Sequence, residues 1–302
     1  WQKGLIYQIY PLSFMDSNGD GSGDLRGIVD RLDYCRWLGV DAVWLSPIYP
    51  SPMIDFGYDI SDFTDIHPLF GTLGDFDALI SEARRLSIKV LLDYVPNHSS
   101  DQHSWFLQSR SSRNNPYRDW YIWRDPAQDG GPPNNWLGAF GGSAWEWDEN
   151  TGQYYLHSYL KEQPDLNWRN PDVQQAMLEV LRFWLDRGVS GFRVDSIAHL
   201  MKDTHFPDNP VNPDWDPATG PYFRYLPVHS RDHPDTAAVI GRIRQVIDEY
   251  ENCVVIGEAY LSLARIVAYY GAGVHLPFNF ALITSPWSAL EVHRIIRTYE
   301  SL

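Results

Sequence analysis

The stretch "NPDVQQAMLEVLRFWLDRGVSGFRVDS", residues 170–196, carries two periodicities in immediate succession. Its first part places Val173, Met177, Val180, Leu181, Trp184 and Leu185 at helical spacing, an apolar stripe along one face. Pro171 suits a first helical turn, and Gly188 suits the position just past the end. The second part, "GFRVDS" (191–196), is short, apolar and β-prone until it ends in charge. A helix that returns at once into a buried strand is the repeating unit of a parallel sheet covered by its crossover helices.

The same alternation extends in both directions. "LIYQIYP" (5–11), "DAVWLSP" (41–47), "KVLLDYV" (89–95), "VVIGEA" (254–259) and "HLPFNF" (275–280) read as further buried strands. "GDFDALISEARRL" and "DTAAVIGRIRQVIDEY" repeat the amphipathic helical pattern. The fold class is therefore α/β, as a barrel or as an open doubly wound sheet. From about Asn97 to Leu160 the rhythm breaks into a polar stretch rich in Asn, Gly, Pro and Trp, with "WEWDENTGQYYLHSY" as a hairpin. That is too long for a loop, and it predicts a small inserted subdomain. A second irregular stretch, "DTHFPDNPVNPDWDPATGPYFRY", follows the fourth strand. Long excursions after strands with short returns from helices are what a barrel shows at its catalytic face.

With 302 residues at 44% hydrophobic, the chain can bury a large core. A net charge of −15 and the lack of any basic run argue against a nucleic-acid partner, and they suit a neutral substrate or divalent cations. Cys35 and Cys253 lie far apart in apolar segments, so buried thiols are expected rather than a disulfide. No apolar run reaches the ~18 residues of a membrane span. Nothing at the start resembles a signal peptide, although the absent initiator Met implies trimming upstream; cytoplasmic location is the default expectation. Oligomeric state is not readable. The 13 tryptophans fit either sugar stacking or ordinary core filling.

Charge gathers at the predicted strand ends: Asp93, Asn97 and His98 after the third, Arg193 and Asp195 at the fourth, Glu258 at the fifth. A charged group ending a buried strand is costly unless paired or functional. Arg193 and Asp195, two apart on a strand, share a face, so the cation would keep Asp195 ionised as a nucleophile requires. Glu258 beside it could keep a raised pKa and act as general acid. Two carboxylates in an aromatic-rich cleft describe glycoside hydrolysis, with retention expected at a separation of roughly 5–5.5 Å.

One further stretch, "DSNGDGSGDL" (16–25), offers oxygen at alternate positions: Asp16, Asn18, Asp20, the Ser22 carbonyl and Asp24. An EF-hand loop would carry Glu where Gly27 stands, so the pattern reads as a cation brace or as an Asx/Gly turn, not a sensor.

"DYVPNHSS", "QPDLNW", "GFRVDS" and "IGEA", in this order, resemble successive signature segments of the α-amylase superfamily, glycoside hydrolase family 13. "GLIYQIYPLSFMDSNGDGSGDLRGI" and "DFGYDISDF" are similar to its oligosaccharide-cleaving α-glucosidase branch, and the resemblance runs from Trp1 to about residue 280. It implies a (β/α)8 TIM barrel with a subdomain inserted after the third strand: barrel over 1–97, subdomain over 98–160, barrel again over 161–302. It also implies Asp195 as nucleophile, Glu258 as acid/base and Arg193 as the group that positions the nucleophile. Asp55 would bind the terminal hydroxyls of the non-reducing glucose, Tyr58 would stack on its ring, and His98 would donate to the same sugar. Tyr159 and Gln163 match pocket-lining positions, with Tyr159 where relatives often have Phe. The acidic loop would hold a structural Ca²⁺, with Mg²⁺ an acceptable occupant, and no organic cofactor is implied. The expected partner is a small oligosaccharide such as maltose, a short α-glucan or sucrose. Ser196, small and hydroxylated after the nucleophile, leans to α-1,4 linkages.

The pattern is incomplete. The Asn-His-Asp segment that supplies a third acid in the family is missing, and the chain stops at Leu302 in a helical run after the sixth predicted strand. About six βα units are expected, without the seventh, the eighth or a C-terminal β-sandwich. The open sheet would have two unpaired edges, as a fragment would, and the isolated chain is expected to be weakly active or inactive. Glucosyl transfer or sucrose isomerisation needs the same residues, and a non-catalytic sugar-binding role is the alternative from another class.

Overall fold

The structure, a computed structural model, describes residues 3–302; Trp1 and Gln2 lie outside the described residues. The chain runs β1 (Ile6–Ile9), α1 (Pro11–Phe14), α2 (Leu25–Leu38), β2 (Ala42–Leu45), α3 (Leu73–Arg85), β3 (Lys89–Tyr94) and α4 (Ser104–Ser111). It continues through β4 (Trp123–Arg124), β5 (Trp145–Asp148), β6 (Gln153–Leu156), α5 (Pro171–Asp186), β7 (Gly191–Val194) and α6 (Thr236–Ile247). β8 (Val254–Gly257), α7 (Leu263–Ala272), β9 (Leu276–Pro277), α8 (Ala281–Thr284) and α9 (Ala289–Glu300) complete it.

Six strands form one parallel sheet in the order β1-β2-β3-β7-β8-β9, an incomplete TIM barrel. The other three form a small antiparallel sheet, order β4-β6-β5, in which β5 and β6 are the expected hairpin.

Local chemistry sets the helix limits. The Asn170 side chain accepts from Asp172 N at the start of α5, with Pro171 in the first turn. Seven apolar residues of α5, Val173 to Leu185, are buried as the stripe requires. Thr72 and Asp75 form a reciprocal capping box on α3. Asp24 caps α2 by accepting from Gly27 N. Gly27 has no alternative here: a Cβ would stand 1.9 Å from the Met15 carbonyl oxygen.

Strand alternation divides the core in two. Val43, Leu45, Val90, Leu92, Phe192, Val194 and Val255 pack outward in the main cluster under the helices. Ala42, Trp44, Leu91, Val254 and Ile256 form the inner cluster, on the face that would line a barrel. Gly191 lets β7 and β8 approach, since a Cβ there would meet the Val254 carbonyl oxygen at 2.1 Å. Register then carries the inner face upward: Asp93 lies opposite Arg193, and Arg193 opposite Ile256. One pleat further along are Asp195 and Glu258, so the charged residues form the top layer of the inner face.

Cys35 is buried as expected, whereas Cys253 is only half-buried; both are free thiols. No described helix is long and apolar enough to cross a membrane.

Candidate active site

At the C-terminal ends of β3, β7 and β8, one guanidinium meets three carboxylates. Arg193 Nη1 donates to Asp93 Oδ1 at 2.6 Å and to Asp195 Oδ1 at 2.8 Å. Its Nη2 lies 2.8 Å from Glu258 Oε2. Arg193 is 6% exposed in its side chain and Asp93 not at all, so little solvent screens the group. Tyr58 Oη donates to Asp93 Oδ2 at 3.0 Å, which closes the far side of that carboxylate.

One positive charge cannot neutralise three negative ones held this far from solvent, and the carboxyls separate accordingly. Burial opposes ionisation of Asp195, yet the Arg193 guanidinium, with help from His98, holds its carboxyl below the ordinary carboxylate range. Burial, followed by the Asp195 charge, pushes Glu258 up to about 7. Burial likewise raises Asp93 to about 7 against the pull of Arg193. Asp93 is sealed behind Tyr58, while Glu258 faces the cavity. An ionised carboxylate beside a protonated one is the pairing that acid-assisted nucleophilic substitution requires.

These groups open into a cavity of about 310 Å³ lined by Asp55, Tyr58, His98, Tyr159, Arg193, Asp195, Ser196 and Glu258, with Phe140 and Tyr260 at its rim. The structure therefore brings together seven of the eight catalytic and substrate-binding positions expected from sequence. The eighth, Gln163, is fully buried behind the wall, where its Nε2 donates to Asp55 Oδ2 at 2.8 Å and contacts His98 Nε2 at 3.2 Å. The other ring nitrogen of His98 faces the Asn97 amide nitrogen at 3.3 Å. Donation from His98 to a sugar thus requires its Gln163 contact to give way. Burial raises the Asp55 carboxyl above its usual value against the Gln163 amide.

Three contributors were not assigned roles from sequence. Asp93 was visible as a strand-end charge, but its partnership with Arg193 depends on β3–β7 register. Tyr260, two residues past Glu258, follows the same alternation and could have been found by it. Phe140 sits in a Gly-rich run that carries no periodic signal. Behind the pocket lies a buried bridge in which Lys202 Nζ reaches Asp165 Oδ2 at 2.6 Å, and Asp165 also accepts from Ser158 and Asn97.

The acidic loop lies outside this cavity. Asp16 accepts from Asn18 N (3.1 Å), Gly19 N (2.7 Å) and Gly21 N (2.8 Å), and the Gly21 and Gly19 amides hold its carboxyl below the usual range. Asp20 accepts from Ser22 N and the Asn18 amide, and Asp24 from Ser17 and Gly27. The oxygen donors are of the kind a hard divalent cation takes. As arranged, they turn onto the loop's own N–H groups, and no cluster of three or more His, Cys, Asp or Glu is gathered for a metal among the described residues.

Residues 8–295 match the family model for the alpha-amylase catalytic domain. The chain is 48% identical over 309 residues to a probable alpha-glucosidase of Rhizobium meliloti (strain 1021), covering 97% of this chain and 56% of that protein. It is 49% identical over 284 residues to an alpha-glucosidase of Apis mellifera, covering 92% and 50% respectively. The crystal structure of an alpha-glucosyl transfer enzyme superposes with a TM-score of 0.96 at 46% identity, over 100% of this chain and 58% of that one. The chain thus spans about half the length of the curated relatives it matches.

Proposed function

The chain belongs to the alpha-amylase catalytic-domain family, and from that premise we propose that it carries the bond-cleaving machinery of a retaining α-glucosidase. The observation that carries the reading is Arg193 held between Asp195 and Glu258, with the first carboxyl depressed and the second raised. Asp195 attacks the anomeric carbon as the bond to the leaving oxygen breaks and Glu258 passes its proton to that oxygen. Water then attacks the same carbon, giving its proton back to Glu258 and releasing Asp195. Asp55 and His98 would hold glucose hydroxyls, Tyr58 its ring face, and Tyr159 the pocket wall, with Gln163 fixing Asp55 from behind. The substrate is a small oligosaccharide with a terminal α-linked glucose, α-1,4 favoured by the hydroxylated Ser196. We read segment 98–160 as an inserted unit that contributes Phe140 and Tyr159 to that wall.

The test is mass labelling. A fluorinated glucosyl substrate that stalls the second step should leave a glucosyl adduct on Asp195; an unlabelled chain, or a label elsewhere, overturns the assignment. The initial product anomer, read by NMR, should be α.

Likeness to an alpha-glucosyl transfer enzyme supports a second reading, transfer to a sugar or alcohol instead of water. The chemistry differs only in what enters the second step. The rim residues Phe140 and Tyr260, 61% and 59% exposed, would offer such an acceptor apolar faces. Product analysis with a competing alcohol separates the two.

Binding of Ca²⁺, or of Mg²⁺, at Asp16, Asn18, Asp20, Ser22 and Asp24 is a separate proposal supported by donor type and spacing. Bound calcium would supply no chemistry to the cleft and would only brace the loop. A rise in melting temperature with added CaCl₂, lost in Asp16→Asn, supports it; identical melting with CaCl₂ and with chelator overturns it.

A further inference from the structure

Ser196, the residue after the proposed nucleophile, has φ 50 and ψ 33. That left-handed conformation costs a residue with a Cβ roughly 1–2 kcal/mol, so contacts around it must hold it. Its carbonyl accepts from His199 N at 2.8 Å and the following Ile197 N donates to the Glu258 carbonyl at 3.1 Å, while two further contacts hold its hydroxyl and its own N–H on opposite sides. Ser196 Oγ donates to the Tyr159 hydroxyl at 2.5 Å. Its backbone N–H donates to Glu258 Oε2 at 3.1 Å. Tyr159 is itself braced by the rings of His98, Phe140 and His199, with centroids 5.4, 5.6 and 5.5 Å away, and its hydroxyl lies 3.5 Å from His199 Nδ1. The line from Tyr159 through Ser196 to Glu258 joins the connections that follow β6, β7 and β8.

We infer that Tyr159 is a positioning residue for the acid/base: by anchoring the Ser196 hydroxyl it holds the Ser196 peptide left-handed, with its N–H aimed at Glu258. This deepens the α-glucosidase reading and rests on it for the role of Glu258. The remaining groups facing Glu258 are charged or phenolic: Arg193 in contact, Asp195 and Asp93 repelling, Tyr159 and Tyr260 nearby. The Ser196 amide is a neutral donor among them, and it favours the ionised form without adding charge. Its loss should therefore raise the Glu258 midpoint.

The experiment is a carboxyl NMR titration of the chain labelled with ¹³C at glutamate side chains, the Glu258 signal being assigned from Glu258→Gln. Tyr159→Phe is expected to raise the midpoint by roughly half a pH unit or more. Ser196→Ala, which removes the hydroxyl from the other side, should reproduce that shift. In Ser196→Gly the left-handed backbone needs no anchor, so Tyr159→Phe on that background should add nothing. An unmoved midpoint in Tyr159→Phe or Ser196→Ala overturns the inference, as does an equal shift with and without Ser196→Gly. Should Tyr159→Phe not fold, the Ser196→Ala midpoint decides. These titrations need no turnover, so failure of the glucosyl labelling of Asp195 would sink the α-glucosidase reading separately.

Discussion

Two acidic clusters in this molecule meet opposite fates. In the loop from Asp16 to Asp24 the carboxylates range from exposed (Asp20) through half-buried (Asp16) to buried (Asp24), and neighbouring backbone N–H groups satisfy them one by one. At the strand ends, buried Asp93 and Asp195 and the mostly buried Glu258 divide a single guanidinium. In the loop each charge is met locally, so removing one partner disturbs one turn. In the cleft the charges compete for one counter-ion, and burial converts that competition into unequal proton affinities. Acidity alone predicts neither behaviour; depth and the number of available donors do.

The largest effect that would break this contrast is at Asp195. Asp195→Asn should lower kcat/KM by about 10⁴-fold or more and abolish the glucosyl adduct. Activity within tenfold of the parent would place the nucleophile elsewhere. Next comes Lys202→Met, which strips the counter-ion from fully buried Asp165. Leaving that charge uncompensated should cost about 3–5 kcal/mol in denaturant unfolding. A loss under about 1 kcal/mol would mean that Asp165 simply takes up a proton.

Glu258→Gln gives a pH signature. The folded chain holds the Glu258 proton up to about 7, whereas an unfolded glutamate releases it near 4.3. Between those values the native state binds the extra proton, so this group's contribution to stability falls as pH rises and is lowest above about 7. The glutamine variant should thus gain on the order of 3–4 kcal/mol at pH 8 over its parent and nothing at pH 4. A pH-independent difference would refute the raised carboxyl. Smallest is Asp24→Ala at the α2 N-cap, expected to cost about 1 kcal/mol. A loss of several kcal/mol there would mean that the loop, like the cleft, behaves as a cooperative unit.

The same contrast explains how far the sequence could be read. All six parallel strands and helices α3, α5 and α6 were legible, because periods of two and of 3.6 are written in neighbouring residues, whereas α2 and α7 were not read as helices. That Asp195 and Arg193 share a face followed from spacing alone. Asp93's hold on Arg193 did not, since it depends on which strand lies beside which and in what register. Tyr159 meets Ser196 only because the long connection after β6 folds back over β7, and no local pattern encodes that. For the loop the difficulty is different: alternate oxygens suit a cation and an Asx turn equally, so spacing could not say that backbone amides would claim them. Gln163 was legible as a pocket position, but its place behind Asp55 depends on side-chain packing.

The sharing of Arg193 also says what the cleft attracts when empty. With all three carboxylates ionised, the quartet carries a net charge of two negatives in a walled, poorly screened space. Such a site is a mould for positive charge. A protonated amine of monosaccharide size placed at the anomeric position would relieve the repulsion directly, and it would bind more firmly as pH rises through 7 while its own charge lasts. On the α-glucosidase reading, part of that field would build up as Glu258 gives up its proton, and it would meet the positive charge that a glycosidic carbon develops as its bond gives way.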